Sequence, residues 1–161
     1  METRNRVRGI AHNKNVAKIT VQGVPDRPGI SATLFEPLAE NGISVDTIVQ
    51  NASVERVTDL TFTVARGDLE TAMDIIEPVA REMGARDCIS DSKLGNVSIV
   101  GTGMQHYPGY ASSMFRALYE ANINIEMITT SEIRITCIVA EDRVEDAVRA
   151  LHKAFQLDKI N

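Results

Sequence analysis

Residues 16–51 and 96–131 align without a gap at a constant offset of 80, with Ile19/Ile99, Gly23/Gly103, Pro28/Pro108, Gly29/Gly109, Phe35/Phe115, Leu38/Leu118, Glu40/Glu120, Ile43/Ile123 and Ile48/Ile128 identical. A period of this length means two copies of one supersecondary unit, so the chain of 161 residues reads as two modules of about 75 residues each. A module that small buries only about 60% of its unfolded surface. The halves are therefore expected to lean on each other or on further copies.

Hydrophobic spacing gives each module the same order of elements. Residues 16–23 and 97–102 carry the β-branched content of strands. After Pro28, Ile30, Leu34, Leu38 and Ala39 share a helical face, as do Met114, Phe115, Leu118 and Ala121 after Pro108. Both helices are predicted to stop near Asn41-Gly42 and Asn122, residues suited to a C-terminal cap. Second strands are predicted at 43–50 and 123–130, third strands at 59–65 and 133–140. The second helices match at an offset of 75, with Leu69, Ala72, Met73, Ile76, Val79 and Ala80 recurring as Val144, Ala147, Val148, Leu151, Ala154 and Phe155. Pro37 and Pro78 fall inside helices, where each removes a backbone hydrogen bond and predicts a local kink.

This order opens a ferredoxin-like βαββαβ unit, an α+β fold that needs one more strand. Residues 86–91 supply it in the first copy, whereas the second copy has only a few residues after its second helix. The available candidate is 6–11, with Val7 and Ile10 as its branched residues. The expected modules are 14–93, and 6–12 together with 94–161, the N-terminal strand completing the second sheet.

Composition narrows the function. A net charge of −5 lacks the basic footprint that phosphate neutralisation requires, which argues against nucleic acid. No stretch approaches the roughly 20 apolar residues of a membrane span, and the first residues lack a signal-type apolar core, so a cytoplasmic protein without membrane partners is expected. Cys88 and Cys137 read as reduced, packed thiols. The glycine pattern of a dinucleotide loop fails at His106, and no Gly-Lys dipeptide, HExxH or GxSxG is present. His12, His106 and His152 have no metal-ligand spacing, so no metal or cofactor is expected. Asp26, Asp46, Asp59, Glu126 and Glu132 are the only material for acid–base chemistry, and acidic side chains at strand ends are commonly just solvated charges. No catalytic residue is assigned.

What remains is the duplicated turn. In the run Val-Pro-Asp-Arg-Pro-Gly-Ile-Ser at 24–31, Pro28 suits a first helical turn, and Gly29 lets a ligand approach the free N–H groups with no Cβ in the way. Those amides favour an anion, and Asp26 beside them offers a carboxylate to an ammonium group. The combination is complementary to a free amino acid. An ordinary helix start is the plain alternative.

Three runs carry a family resemblance: Gly-Val-Pro-Asp-Arg-Pro-Gly at 23–29, Ile-Ser-Val-Asp-Thr-Ile-Val-Gln-Asn at 43–51, and Asn-Ile-Asn-Ile-Glu-Met-Ile-Thr-Thr-Ser-Glu-Ile-Arg-Ile at 122–135. They closely resemble the paired ACT domains at the C-terminal end of aspartate kinases, and the likeness extends over residues 9–158. That family phosphorylates aspartate with ATP, the first step towards lysine, threonine and methionine, and its ACT pair senses end products. The resemblance implies a non-catalytic regulatory part, either a separate β subunit that partners an aspartate kinase catalytic subunit or a fragment of a longer chain. It implies a homodimer in which threonine sits between the first module of one chain and the second module of its partner. The implied contacts are Asp26, Pro28, Gly29, Ile30, Ser31 and Gln50, faced by Asn122, Asn124 and Ile125. A second site, possible for lysine, would involve Met104, Tyr110, Ala111, Thr130, Ser131 and Glu132. Relatives often read Met-Lys/Arg-Ser-His-Pro-Gly there, whereas this chain has Met-Gln-His-Tyr-Pro-Gly at 104–109. A constitutive ACT scaffold that binds nothing, or a sensor of lysine or methionine, are the rival readings.

Overall fold

The computed structural model describes residues 7–51 and 55–157. Arg6, where the crossing strand was expected to begin, and residues 158–161 of the second module lie outside the described residues. The described chain divides into two compact units, residues 15–92 and residues 7–14 with 93–157, called the first and second modules below.

In the first module, residues 15–25 of strand β1 (Val7–Pro25) are followed by α1 (Ile30–Glu40), β2 (Ile48–Gln50), β3 (Val57–Val64), α2 (Leu69–Glu82) and the beginning of β4 (Asp87–Gly101). The strand order β2-β3-β1-β4 is that of a ferredoxin-like unit. β1 and β3 are antiparallel with Ile19 opposite Phe62, and β2 pairs β3 with Val49 opposite Thr61. Alternate strand residues and one face of each helix meet in a core that includes Ile19, Val21, Leu34, Leu38, Leu60, Phe62 and Ile76. Phe35 of α1 meets Phe62 of β3 edge to face, with centroids 5.1 Å apart.

The second module repeats the plan with residues 93–101 of β4, α3 (Tyr110–Glu120), β5 (Met127–Thr130), β6 (Arg134–Ala140) and α4 (Val144–Ala154). Its strand order is β1-β4-β6-β5, so the N-terminal stretch of β1 completes the sheet. Val7 is fully buried in the same core as Val97, Ile99, Met114, Leu118, Cys137 and Leu151, and Ile10 packs against it. The approach is close. A Cβ added at Gly95 would lie 3.0 Å from the Asn13 carbonyl and 2.5 Å from the Val144 side chain. Lys14 forms an ion pair with Glu145 at the start of α4, and that hydrogen bond holds the Glu145 carboxyl below its usual range.

Several expectations change. Residues 7–11 and 16–23, expected in separate strands, lie in one strand, β1, and residues 87–91 and 97–101 lie in one strand, β4. The polar residues between them broke the hydrophobic pattern without breaking the backbone. The second strands are far shorter than 43–50 and 123–130, because Ile43 and Ile123 still donate their amides back to the Leu38 and Leu118 carbonyls at 3.0 and 2.9 Å. Ala39 and Ala154, placed in the helical core faces, are exposed. α1 and α2 run through Pro37 and Pro78 without interruption, and the carbonyls that lose a partner belong to exposed Thr33 and Asp74.

Candidate functional site

The turn between β1 and α1 is built from the backbone. Gly29 is the N-cap of α1 at φ 89°, in the left-handed region that favours glycine. An N-cap normally sits in the extended region, where its side chain can reach the first free amides. Here no side chain caps the helix, and its first turn has no acidic residue. The Gly29 carbonyl accepts both the N–H and the hydroxyl of Thr33, at 3.0 and 2.9 Å. The Ile30 amide leans towards the Arg27 carbonyl at 3.4 Å, which makes the next amide, that of Ser31, the better placed to meet an anion at the positive end of the helix.

Asp26, Pro28, Gly29 and Ser31 are exposed, while the Ile30 side chain is buried in the module core. The Asp26 amide donates to the Arg56 carbonyl at 2.8 Å, and the Gly23 amide donates to Asp59 Oδ1 at 3.0 Å. The β2–β3 hairpin therefore holds the turn in place. Gln50, at the end of β2 opposite Leu60, is exposed just before that hairpin. One module thus brings to its surface uncapped helix amides, a carboxylate on the preceding turn and an amide side chain on the edge strand.

Asn122, Asn124 and Ile125 belong to the second module. Asn122 stands at φ 59° and ends α3, with its amide bonded to the Tyr119 carbonyl at 2.9 Å. Arg143 clamps this stop, donating to the Ala121 and Asn122 carbonyls at 2.9 and 3.1 Å. Asn124 is exposed, and Ile125 packs against the second core. Sequence reading did not find Arg56, Asp59 or Arg143 in these supporting roles. Each acts across elements, and the only signal was polar residues near strand and helix ends.

The second turn repeats the backbone device, with Gly109 the N-cap of α3 at φ 105° and again no side-chain cap. Its side chains are arranged differently. Met104 is buried, and its amide donates to the Glu132 carbonyl at 3.1 Å. Tyr110 and Ala111 pack against the second core, Tyr110 with its ring 6.4 Å from that of Phe155. Thr130, Ser131 and Glu132 are exposed on the β5–β6 connection, where the Ser131 amide donates to the Arg134 carbonyl at 2.8 Å. Tyr110 thus fills space beside the turn from within.

Two concavities lie elsewhere. One of about 840 Å³ runs between α3 and α4, lined by small residues with Arg116, Glu120 and Lys153, and one of about 220 Å³ lies at the α2–β4 junction beside Arg81, Asp87 and Cys88. Neither is lined by Asp26, Ser31 or Gln50. Among the described residues no group of three or more His, Cys, Asp or Glu is placed to hold a metal ion, and no helix is long and apolar enough to cross a membrane.

Residues 18–81 match the ACT domain family, and residues 97–155 match an ACT domain again. The chain is a tandem ACT protein. Its relatives include the aspartate kinase of Pseudomonas putida, 49% identical over 152 residues, which are 94% of this chain and 37% of that kinase. The aspartokinase of Corynebacterium glutamicum is 42% identical over 151 residues, 92% of this chain and 36% of the relative. The chain thus spans little more than a third of these relatives. Among solved structures, the ligand-free regulatory subunit of aspartate kinase from Thermus thermophilus matches with a TM-score of 0.88 at 40% identity, over 93% of this chain and 99% of that one. This chain belongs to the aspartate kinase family, and its residues match the regulatory ACT region of those kinases.

Proposed function

We propose that this ACT pair is the end-product sensor of an aspartate kinase, and that threonine is its effector. The supporting observation is the first-module turn, where α1 starts at a left-handed glycine with no side-chain cap and Asp26 lies on the preceding turn. An amino acid's carboxylate suits the Ser31 amide, its ammonium suits Asp26, and Gln50 offers a partner to a side-chain hydroxyl. Asn122, Asn124 and Ile125 of a second copy would close the site, which makes the effector a bridge within a homodimer. Binding that favours one dimer arrangement by about 1–3 kcal/mol would change the activity of attached kinase domains roughly 5- to 150-fold. The altered second turn is the proposed place for lysine.

Ile48 and Ile128 are exposed on the edge strands β2 and β5 at matching positions of the repeat, which supports pairing between copies. This observation also favours the rival, a constitutive dimer without a ligand. Calorimetry separates the two readings. Threonine is expected to give saturable heat that Asp26→Ala abolishes. No heat at millimolar threonine, with ligand-independent dimers by sedimentation, would leave the scaffold.

A further inference from the structure

The loop that carries Asp26 starts at Gly23, φ 68°, where the β1–β3 register shifts between Val21 and Val24. Gly23 is confined on two sides. Its amide donates to Asp59 Oδ1 at 3.0 Å, and a Cβ placed on it would meet the Cβ and N of Arg86 at 3.0 and 3.3 Å. Three residues on, the Asp26 amide is taken at 2.8 Å by the carbonyl of Arg56, itself at φ 61°. A left-handed conformation is unfavourable for a side chain such as arginine and persists only where the surroundings impose it. Both anchors therefore come from the start of β3 and the residue before it.

The second module does the corresponding work differently. Phe62 lies opposite Ile19 and Ile135 opposite Ile99, which sets Asp59 and Glu132 in the same register. At Glu132 the main-chain carbonyl holds the loop, accepting the Met104 amide at 3.1 Å. In the first module it is a side chain, the Asp59 carboxylate, that holds the launch of the loop.

We infer that Asp59 is a positioning residue of the effector site: its carboxylate fixes the Gly23 amide, and so sets the direction in which Asp26 meets an ammonium group. The inference rests on the reading that the first-module turn binds an amino acid. Asp59 need not touch that ligand. Asparagine at 59 keeps a side-chain carbonyl that can accept the Gly23 amide, and alanine does not. Asp59 is exposed, so neither substitution empties the core.

The test is calorimetric titration of threonine into the wild-type chain, Asp59→Asn and Asp59→Ala, with the melting temperature of each measured without ligand. The expected result is a loss of affinity of about tenfold or more in Asp59→Ala, while Asp59→Asn stays within about threefold of wild type. Wild-type affinity in Asp59→Ala overturns the inference even where that variant melts earlier, because a merely structural role would lower stability alone. Equal losses in both variants also overturn it, since the charge rather than the acceptor would then matter. No heat from the wild type overturns the reading of the turn itself, and the two failures are thereby told apart.

Discussion

Cys137 on β6 shows what burial does to one side chain. The residue has no exposure to solvent, its thiol lies 3.9 Å from the Met114 sulfur, and burial pushes its pKa from 9.0 up to about 12. The folded state keeps this proton through a range in which the unfolded chain releases it. Stability from this group is therefore complete below pH 9 and falls as pH rises, by up to about 1.4 kcal/mol per unit until pH 12. Cys88, half-buried, is shifted in the same direction, first by burial and then by Glu77 and Asp87. Denaturant midpoints of wild type and Cys137→Val, followed from pH 7 to 10.5, are expected to run parallel at first and to converge above about pH 9. Parallel curves throughout would mean that the thiol ionises without opening the core. That the cysteines would be packed thiols was legible from composition. That Cys137 is fully buried in the second core while Cys88 only packs against the first was not, because composition does not place a residue on one face of a strand.

Among the elements, the helix ends were the most legible features and the short strands the least. Gly42 and Asn122 occupy the same position of the repeat, and both take a left-handed conformation that returns the next amide to the helix. Asparagine and glycine are the residues that tolerate that conformation, so the stops could be read from the residues. The same stops tie Ile43 and Ile123 back to their helices, and contact with the neighbouring strands resumes only at Asp46 and Glu126, which is why hydrophobic content there overstated β2 and β5. At Asn122 the helix-stop role and the proposed effector contact coincide, and glycine separates them. Asn122→Gly keeps the backbone conformation and leaves the carbonyl that Arg143 clamps, so its melting temperature is expected within a few degrees of wild type. Threonine affinity is expected to fall several-fold, as the side-chain amide is lost. Unchanged affinity in calorimetry would reduce Asn122 to a helix stop.

At the scale of the molecule, the offset of 80 fixed the number of modules, and counting strands exposed the vacancy that the N-terminal residues fill. It could not show that β1 and β4 each run on as a single strand, since side-chain patterning reports faces and not continuity across a polar stretch. We propose that the first module is an insertion within the second. Val7 supplies a fully buried side chain to the second core, worth about 1.5–3 kcal/mol, and its strand supplies ladder hydrogen bonds to β4 that nothing else can replace. A domain of this size has little stability to spare. Deleting residues 1–12 is therefore expected to lower the melting temperature and to strip amide-exchange protection from residues 93–101 and β6. β3 in the first module is expected to keep most of its protection, because its partners β1 and β2 remain. Uniform loss across both modules would indicate one cooperative unit instead of an insertion, and an unchanged melting curve would show that residues 7–12 contribute nothing to the second sheet.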